Sequence, residues 1–361
     1  MLSSSRACSA THVVPKPRGQ GNDFVVAVNR AIADGDYDVV FGGGDDWMAA
    51  LSAHRFEIDA RVAHPEFSVV EAALDKLRLT ELAHEVGLAA PHTELATPEA
   101  LASWRGPVVV KCRTHWSPGR TEALRIEAKL FEHAADARQR LDFIQAAGEQ
   151  AVLQQPVSGQ LGAVIGVYHG GRLDARVQQV TSRLWPTPNG VSTRARTVPV
   201  DDLLVATCER LLETLNWRGL VELQFLTGPD GVPHLIDLNG RFFGSMALTN
   251  AARPGVADLW GQLVLGDAVM SLPDAPAGVR FSWTAGDLRR ATVERRRTLA
   301  RDVLDTLRWS AQATQSVWDP RDPAPTMRVM TERFIPRSDV AGDAPLERER
   351  REPQTAPGRA A

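Results

Sequence analysis

The sequence predicts a mixed α/β (α+β) protein, and three observations predict it. A strand, a glycine turn and a helix follow one another over residues 37–55, which is an α/β crossover unit. Apolar residues recur at helical spacing after residue 68 and again over residues 201–216. Two short runs with period-two alternation, residues 221–227 and 233–239, flank a Gly-Pro-Asp-Gly turn and make an antiparallel hairpin.

The chain has 361 residues, enough for two or three domains with real cores. Charged residues make up 24% and the net charge is only −3, which argues against a nucleic-acid or anionic-membrane partner. No apolar run approaches the ~20 residues that span a bilayer. The segment before Gly21 is irregular and has no apolar h-region, so a secretory signal is not expected. Its three cysteines, Cys8, Cys112 and Cys208, have no metal or disulfide spacing, which fits the cytoplasm. Cys208 is in phase with Leu204, Leu211, Leu212 and Leu215 and reads as a core residue of a helix.

In the first third, residues 24–33 read as a helix, 37–41 as a buried parallel strand and 47–55 as a second helix. Gly42 to Gly44 stand where an anion could sit at a helix start, but Asp45 and Asp46 follow at once and would repel phosphate. A structural turn is the expected reading, with substrate contact as the other. From Ser68, Leu74, Leu77, Leu82 and Val86 recur at helical spacing until Gly87. Lys76 on that pattern reads by itself as an exposed helix lysine. Residues 107–111 (PVVVK) are an apolar strand ending in a cation, and residues 151–157 (AVLQQPV) another strand.

Residues 176–198 are rich in Arg, Pro, Gly and Ser and read as a long functional loop. Arg183, Arg194 and Arg196 there suit an anionic substrate or a γ-phosphate. In the hairpin, Val221, Leu223 and Phe225 share one face and leave Glu222 and Gln224 on the other. Leu235, Asp237 and Asn239 share a face of the second strand, with Ile236 and Leu238 opposite. The register must set Asp237 against Glu222 or Gln224, because a slip of one residue would bury the carboxylates and expose Phe225. Oxygen ligands crowded in this way suit Mg²⁺ completed by water and phosphate oxygens. Beyond it, a helix over residues 245–265 is broken near Arg253-Pro254-Gly255, a further helix is expected over 293–313, and residues 341–361 are expected to be disordered.

The hairpin, with Gln-Phe ending one strand and Ile-Asp-Leu-Asn-Gly-Arg in the next, resembles the metal-binding hairpin of the ATP-grasp superfamily. Biotin carboxylase, carbamoyl phosphate synthetase and D-alanine ligase belong to that superfamily. The series of Asp75-Lys76, PVVVK, AVLQQPV and hairpin resembles its ATP-binding module over residues 66–266. The resemblance implies an ATP-grasp fold with a truncated Rossmann-like N-terminal domain. It divides the chain into a shortened domain over 1–66, a module over 67–270 with a lid at 106–160 and the metal hairpin at 219–241, a cap over 271–340 and a tail over 341–361.

The same resemblance implies that Gln224, Asp237 and Asn239, joined by Glu222, hold Mg²⁺ or Mn²⁺ against ATP, and that Arg241 meets the transferred phosphate. Lys76, Lys111 and Arg183 would then touch the nucleotide, with Gln154, Gln155 and Val157 beside adenine. Lys111 and Arg241 are the expected catalytic cations. Four departures stand out. Asp237 replaces Glu and Gly240 replaces Pro; Asn189-Gly190 replaces Gly-Gly; and the flap CRTHWSPGR has one glycine, Gly119, where Arg113 and Arg120 would substitute for backbone amides. The implied activity is ligation of a small-molecule carboxylate to an amine through an acyl phosphate. Use of bicarbonate or carbamate and ATP binding without turnover are the alternatives, and a homodimer is compatible with the sequence.

Overall fold

The computed structural model describes residues 2–332 apart from 18–20, 115, 117, 119–125, 127 and 189. The expected flap residues Gly119 and Arg120, Asn189 and the tail at 341–361 lie outside the described residues. By contact, the described residues of 1–9 and 318–361 form one unit and residues 10–317 another. In the first unit, a 3-10 turn at Leu2–Ser4 and helix α12 (Ala324–Glu332) flank a bond from Ser5 Oγ to Asp322 at 2.6 Å.

The larger unit opens with α1 (Gly21–Gly35), β1 (Val39–Val40), α2 (Asp45–Ala53) and β2 (Arg61–Val62). The two strands pair in parallel, as a crossover connection requires. Helices α3 (Phe67–Leu74) and α4 (Lys76–Glu85) follow. The single helix expected here is broken at Asp75, whose backbone is extended and whose carboxylate caps α4 by accepting from Leu77 N at 3.0 Å and Arg78 N at 3.2 Å. A capping aspartate satisfies amides that the new helix start leaves open, so it favours the break.

A four-stranded sheet follows, built from β3 (Thr93–Leu95), β4 (Val108–Cys112), β5 (Lys129–Phe131) and β6 (Ala151–Gln154) in the order β3-β6-β4-β5. Helices α5 (Pro98–Ser103) and α6 (Arg138–Ala146) accompany it. Val108, Val110 and Cys112 join Leu141, Ile144 and Leu153 in one core. Period-two alternation therefore leaves Val109 and Lys111 on the opposite face, where they pair with Gln154 and Val152.

Residues 155–159 lead from this sheet to a seven-stranded one. It comprises β7 (Gln160–His169), β8 (Arg172–Trp185), β9 (Val191–Val198), β10 (Gly219–Thr227), β11 (Pro233–Asn239), β12 (Arg280–Ser282) and β13 (Thr314–Gln315), ordered β11-β10-β7-β8-β9-β12-β13. Helix α7 (Asp202–Thr214) joins β9 to β10, and α8 (Met246–Ala252) and α9 (Val256–Leu265) follow the hairpin, split at Arg253-Pro254-Gly255 as expected. Val221, Leu223 and Phe225 face a core shared with α1 to α4 and α7, in which Cys208 is fully buried. Leu220, on the other face, packs with Trp260 of α9. Among the described residues no helix is long and apolar enough to cross a membrane.

Three expectations are corrected. Residues 176–198 are mostly two long paired strands, β8 and β9, because Val177, Gln179 and Thr181 alternate on one strand face and the loop-forming residues are confined to the short turn after Trp185. The helix expected over 293–313 is two helices, α10 (Thr284–Glu294) and α11 (Leu299–Ser310). A β-bulge at Ile236 sets Leu235 opposite Phe225 and buries it in the same core as Leu238, so Leu235 does not share the face of Asp237 and Asn239.

Helices α10 and α11 are fixed to β8 and β9 by Asp287, which is fully buried. Its carboxylate accepts from Arg194 Nε at 2.5 Å, Arg290 Nε at 2.9 Å, Thr306 Oγ1 at 3.1 Å and Arg183 Nη1 at 3.3 Å. Burial alone would raise its pKa, but these arginines hold it below the usual carboxylate range. Asp287→Ala leaves the arginines facing an apolar gap and is expected to cost about 3–5 kcal/mol in chemical denaturation, where Asp305→Ala, at a half-exposed partner, costs less.

Candidate functional site

The site is built on the polar face of the β10–β11 hairpin. Gln224 lies opposite Asp237 and Glu222 opposite Asn239, so alternation places all four on one side. Glu222 is buried, and its Oε2 accepts from Asn239 Nδ2 at 2.9 Å and Gln224 Nε2 at 3.0 Å, while Ser245 Oγ donates to Oε1 at 3.3 Å. Burial pushes the Glu222 carboxyl up to about 7, against the pull of those hydrogen bonds and of Arg241.

Two lysines converge on this face from other elements. Lys76, the first residue of α4, is buried and its ammonium pairs with Asp237 Oδ1. It does not take the exposed position expected of a surface helix lysine. Lys111, on β4, is partly buried, and burial together with the nearby Lys76 charge brings its pKa down to about 7 against the attraction of Asp237. Asp75 ties the two together, since its Oδ2 accepts from Arg113 Nη2 at 2.6 Å and the Arg113 carbonyl accepts from Lys76 N at 3.0 Å. Arg113 also donates to Gln150 Oε1 at 2.9 Å. It therefore braces the lysines and does not stand in for a phosphate-binding amide.

Arg241 closes the far end. It donates through Nε to Asp45 Oδ1 at 2.7 Å and through Nη2 to Asn239 Oδ1 at 3.0 Å. The Asp45 charge and hydrogen bonds raise its pKa against the cost of burial. Asp45 follows the Gly42 to Gly44 turn, so that turn delivers a carboxylate to the site. Gly240 has a steric reason: a Cβ there would lie 2.1 Å from the Trp217 ring. A proline at this position would meet the same ring.

Behind the hairpin, His64 accepts from Gly42 N through Nε2 at 2.7 Å and lies 3.1 Å from the Gly240 carbonyl through Nδ1. The neutral tautomer with its proton on Nδ1 satisfies both bonds. Burial brings its pKa down to about 4. Sequence reasoning missed Asp45, Asp75 and His64 as site residues, because their partners lie far along the chain; the helix-capping position of Asp75 was the one readable signal.

Gln154 is buried on the Lys111 face and donates Nε2 to Thr93 Oγ1 at 2.8 Å. Gln155 and Val157 stand in the link between the sheets, and the Gln155 amide is engaged by the His92 carbonyl at 2.9 Å. Arg183 is the expectation the structure corrects. It pairs with Asp305 at 2.6 Å and with Asp287, which neutralise it in the α10–α11 cluster, and Arg194 is held by the same acids. Arg196 points to solvent.

The donor set suits Mg²⁺. Among the described residues no three His, Cys, Asp or Glu side chains gather as a protein-only cage. Mg²⁺ is usually held by one or two carboxylates, with waters and phosphate oxygens completing the octahedron. Asp237 and Glu222, flanked by the Gln224 and Asn239 amides and facing two lysines, offer that combination.

Residues 186–286 match the family model described as ATP-grasp in the biosynthetic pathway with Ter operon. Comparison with curated proteins gives no match. The L-amino acid ligase from Bacillus licheniformis is 13% identical with a TM-score of 0.53 over 69% of this chain and 61% of that one. The biotin carboxylase domain of Hydrogenobacter thermophilus 2-oxoglutarate carboxylase, in complex with MgADP, ADP and bicarbonate, is 11% identical with a TM-score of 0.57 over 72% and 61%. An ADP complex of N5-carboxyaminoimidazole ribonucleotide synthetase is 14% identical with a TM-score of 0.56 over 78% and 73%. This chain thus spans less than two thirds of the length of the first two.

The neutral His64 generates a test. Its pKa is depressed on folding, so its contribution is complete above the unfolded value near 6.5 and is lost as pH falls towards about 4. The raised Glu222 pKa acts in the opposite sense over much of that window, so the comparison carries the test: the stability advantage of the wild type over His64→Gln should shrink by roughly 3 kcal/mol as pH falls from 6.5 to about 4. Equal pH profiles for the two proteins in urea unfolding would contradict the assignment.

Proposed function

We infer that this chain, which has the ATP-grasp fold, is an ATP- and Mg²⁺-dependent ligase that joins a carboxylate to an amine through an acyl phosphate. One observation carries the reading: Lys76 and Lys111, from separate elements, converge on Asp237 within a patch of metal-suited oxygens. Structures of like fold include a ligase, a synthetase with ADP and a carboxylase domain with MgADP, which supports nucleotide use.

In this reading Lys111 holds the α-phosphate, Lys76 the phosphates beyond it, and Gln154, Gln155 and Val157 flank the adenine. Gln224, Asp237, Asn239 and Glu222 hold Mg²⁺ or Mn²⁺, which when bound supplies Lewis-acid neutralisation of the transferred phosphoryl group. Arg241, kept in place by Asp45, steadies charge at the acceptor end. A carboxylate oxygen bonds to the γ-phosphorus as ADP leaves. The amine nitrogen then bonds to the acyl carbon as inorganic phosphate leaves, and the nitrogen's proton passes to solvent. The residues contribute position and fixed charge, so a covalent nucleophile on the protein is not required. A reducing, cytoplasmic setting fits the wide sequence spacing of Cys8, Cys112 and Cys208.

Lys111 supplies a distinctive readout. With a resting pKa of about 7 it is largely neutral at pH 8, and a phosphate beside it restores the charged form. Titration calorimetry at pH 8 in buffers of different ionisation enthalpy should show nucleotide binding taking up as much as about one proton more in the wild type than in Lys111→Met. Lys111→Ala and Asp237→Ala should each lower acceptor-dependent ADP release by at least about 10²-fold. Retention of full activity in either variant would remove the assignment.

A further inference from the structure

A cavity of about 660 Å³ opens between the residues after α2, strand β2, the start of α3, the turn before β10 and the end of α9. Its volume suits one small organic ligand. None of the hairpin oxygens and neither site lysine lines it, so it is separate from the metal and nucleotide face. Three arginines do line it, Arg55, Arg61 and Arg218, with Glu66 as the one acid.

The charged heads, and not the stems alone, lie at the cavity wall, because each guanidinium donates to the carbonyl of another lining residue. Arg55 Nη1 donates to His64 O at 3.3 Å, Arg218 Nη2 to Leu263 O at 3.4 Å, and Arg61 Nη1 to Val264 O at 3.2 Å and also to the Leu265 carbonyl. Those last three carbonyls are consecutive at the C-terminus of α9, so two guanidinium groups gather within one helical turn. Gly266 ends α9 with a left-handed backbone, and a Cβ there would lie 3.7 Å from Arg61 Nη1. Trp260, one turn back along α9, donates Nε1 to Ala63 O at 3.2 Å, which brings His64 O and the Arg55 head to the same helix end.

Helix capping accounts for part of this cluster, but a helix C-terminus carries only about half a unit of negative charge. Among the described residues no carboxylate pairs with Arg55, Arg61 or Arg218. Even with Glu66 counted, more than one positive charge is left uncompensated, and most of each guanidinium's five N–H donors remain unspent. Phe56 lines the same cavity. It is 91% exposed, with the Arg55 guanidinium 6.0 Å from its ring centre, and a phenyl ring left in water forgoes about 1.5–3 kcal/mol of burial. Val62, Ala63, Val69 and Leu263 add apolar wall.

We propose that this cavity is a second ligand site, for a small organic phosphate, with the phosphate dianion on Arg55, Arg61 and Arg218 and its apolar body against Phe56. Guanidinium groups suit carboxylate and phosphate alike, but a carboxylate supplies one negative charge where the cluster calls for more. Binding here needs no turnover, so it stands whether or not the chain is a ligase.

Isothermal titration of the full chain at pH 8 with phenyl phosphate, inorganic phosphate, benzoate and benzyl alcohol tests it. Phenyl phosphate is expected to bind at least about tenfold tighter than each of the other three. Arg55→Gln and Arg61→Gln should each weaken it by about tenfold or more. Phe56→Ala, at an exposed side chain whose loss does not disturb the core, should bring phenyl phosphate to the level of inorganic phosphate and leave inorganic phosphate unchanged. Lys111→Met should bind phenyl phosphate as the wild type does, which separates this cavity from the nucleotide face. No binding of phenyl phosphate, equal binding of any of the other three probes, binding that survives intact in the Arg55, Arg61 and Phe56 variants, or binding lost in Lys111→Met would overturn the proposal. Phenyl phosphate bound in the expected pattern by a chain that releases no ADP with any acceptor would uphold this site and sink the ligase reading alone.

Discussion

The ion pair between Lys76 and Asp237 joins the start of α4 to the edge of the large sheet, and the site's electrostatics depend on it. Lys76, Lys111 and Arg241 stand among Asp237, Glu222 and Asp45, and burial brings both Lys111 and Glu222 to a pKa of about 7. Without that mutual compensation their desolvation would cost several kcal/mol per ion. The acids and bases neutralise one another across elements far apart in sequence. The same pairing means that the side chain best suited to hold a metal and the one best suited to meet a phosphate occupy each other. In the proposed function, Mg²⁺ and the nucleotide exchange these partners: the carboxylate turns to the cation and the ammonium to the phosphate. Charge is redistributed without creating a new uncompensated group.

Such an arrangement needs a rigid frame, because a swap of partners gains nothing if the side chains can drift apart. Asp75 caps α4 directly before Lys76 and grips Arg113 just past Lys111, so one carboxylate sets the spacing of both lysines. His64 bridges the glycine turn and the Gly240 carbonyl, which brings Asp45 and Arg241 into register. Trp217 packs where a Cβ at Gly240 would lie, so the chain leaves β11 close against the core. Each brace uses a buried polar group with satisfied partners, which favours one geometry over its neighbours.

Much of this was legible in the sequence where local periodicity dictated it. Alternation in the hairpin identified the polar face and limited the register to two choices, and Gln224 lies opposite Asp237 as one of them. Alternation could not show the bulge at Ile236, since the extra residue matters only against the partner strand. Composition misled where it stood in for pattern: the Arg, Pro and Gly of residues 176–198 suggested a loop, although the strand alternation of β8 was present in the same letters. Arg183 was read as a free cation because Asp287 and Asp305, which neutralise it, come more than a hundred residues later. Asp45, Asp75 and His64 act through distant partners, and pairings of that kind are set by the tertiary fold.

The exchange of partners at Asp237 is tested most directly by the affinity for a nonhydrolysable ATP analogue as a function of free Mg²⁺, in the wild type and in Asp237→Asn. Mg²⁺ should tighten binding to the wild type by at least about tenfold, and the neutral variant should lose most of that dependence. Affinity that is the same with and without Mg²⁺ in the wild type, or a full Mg²⁺ response in Asp237→Asn, would contradict the account.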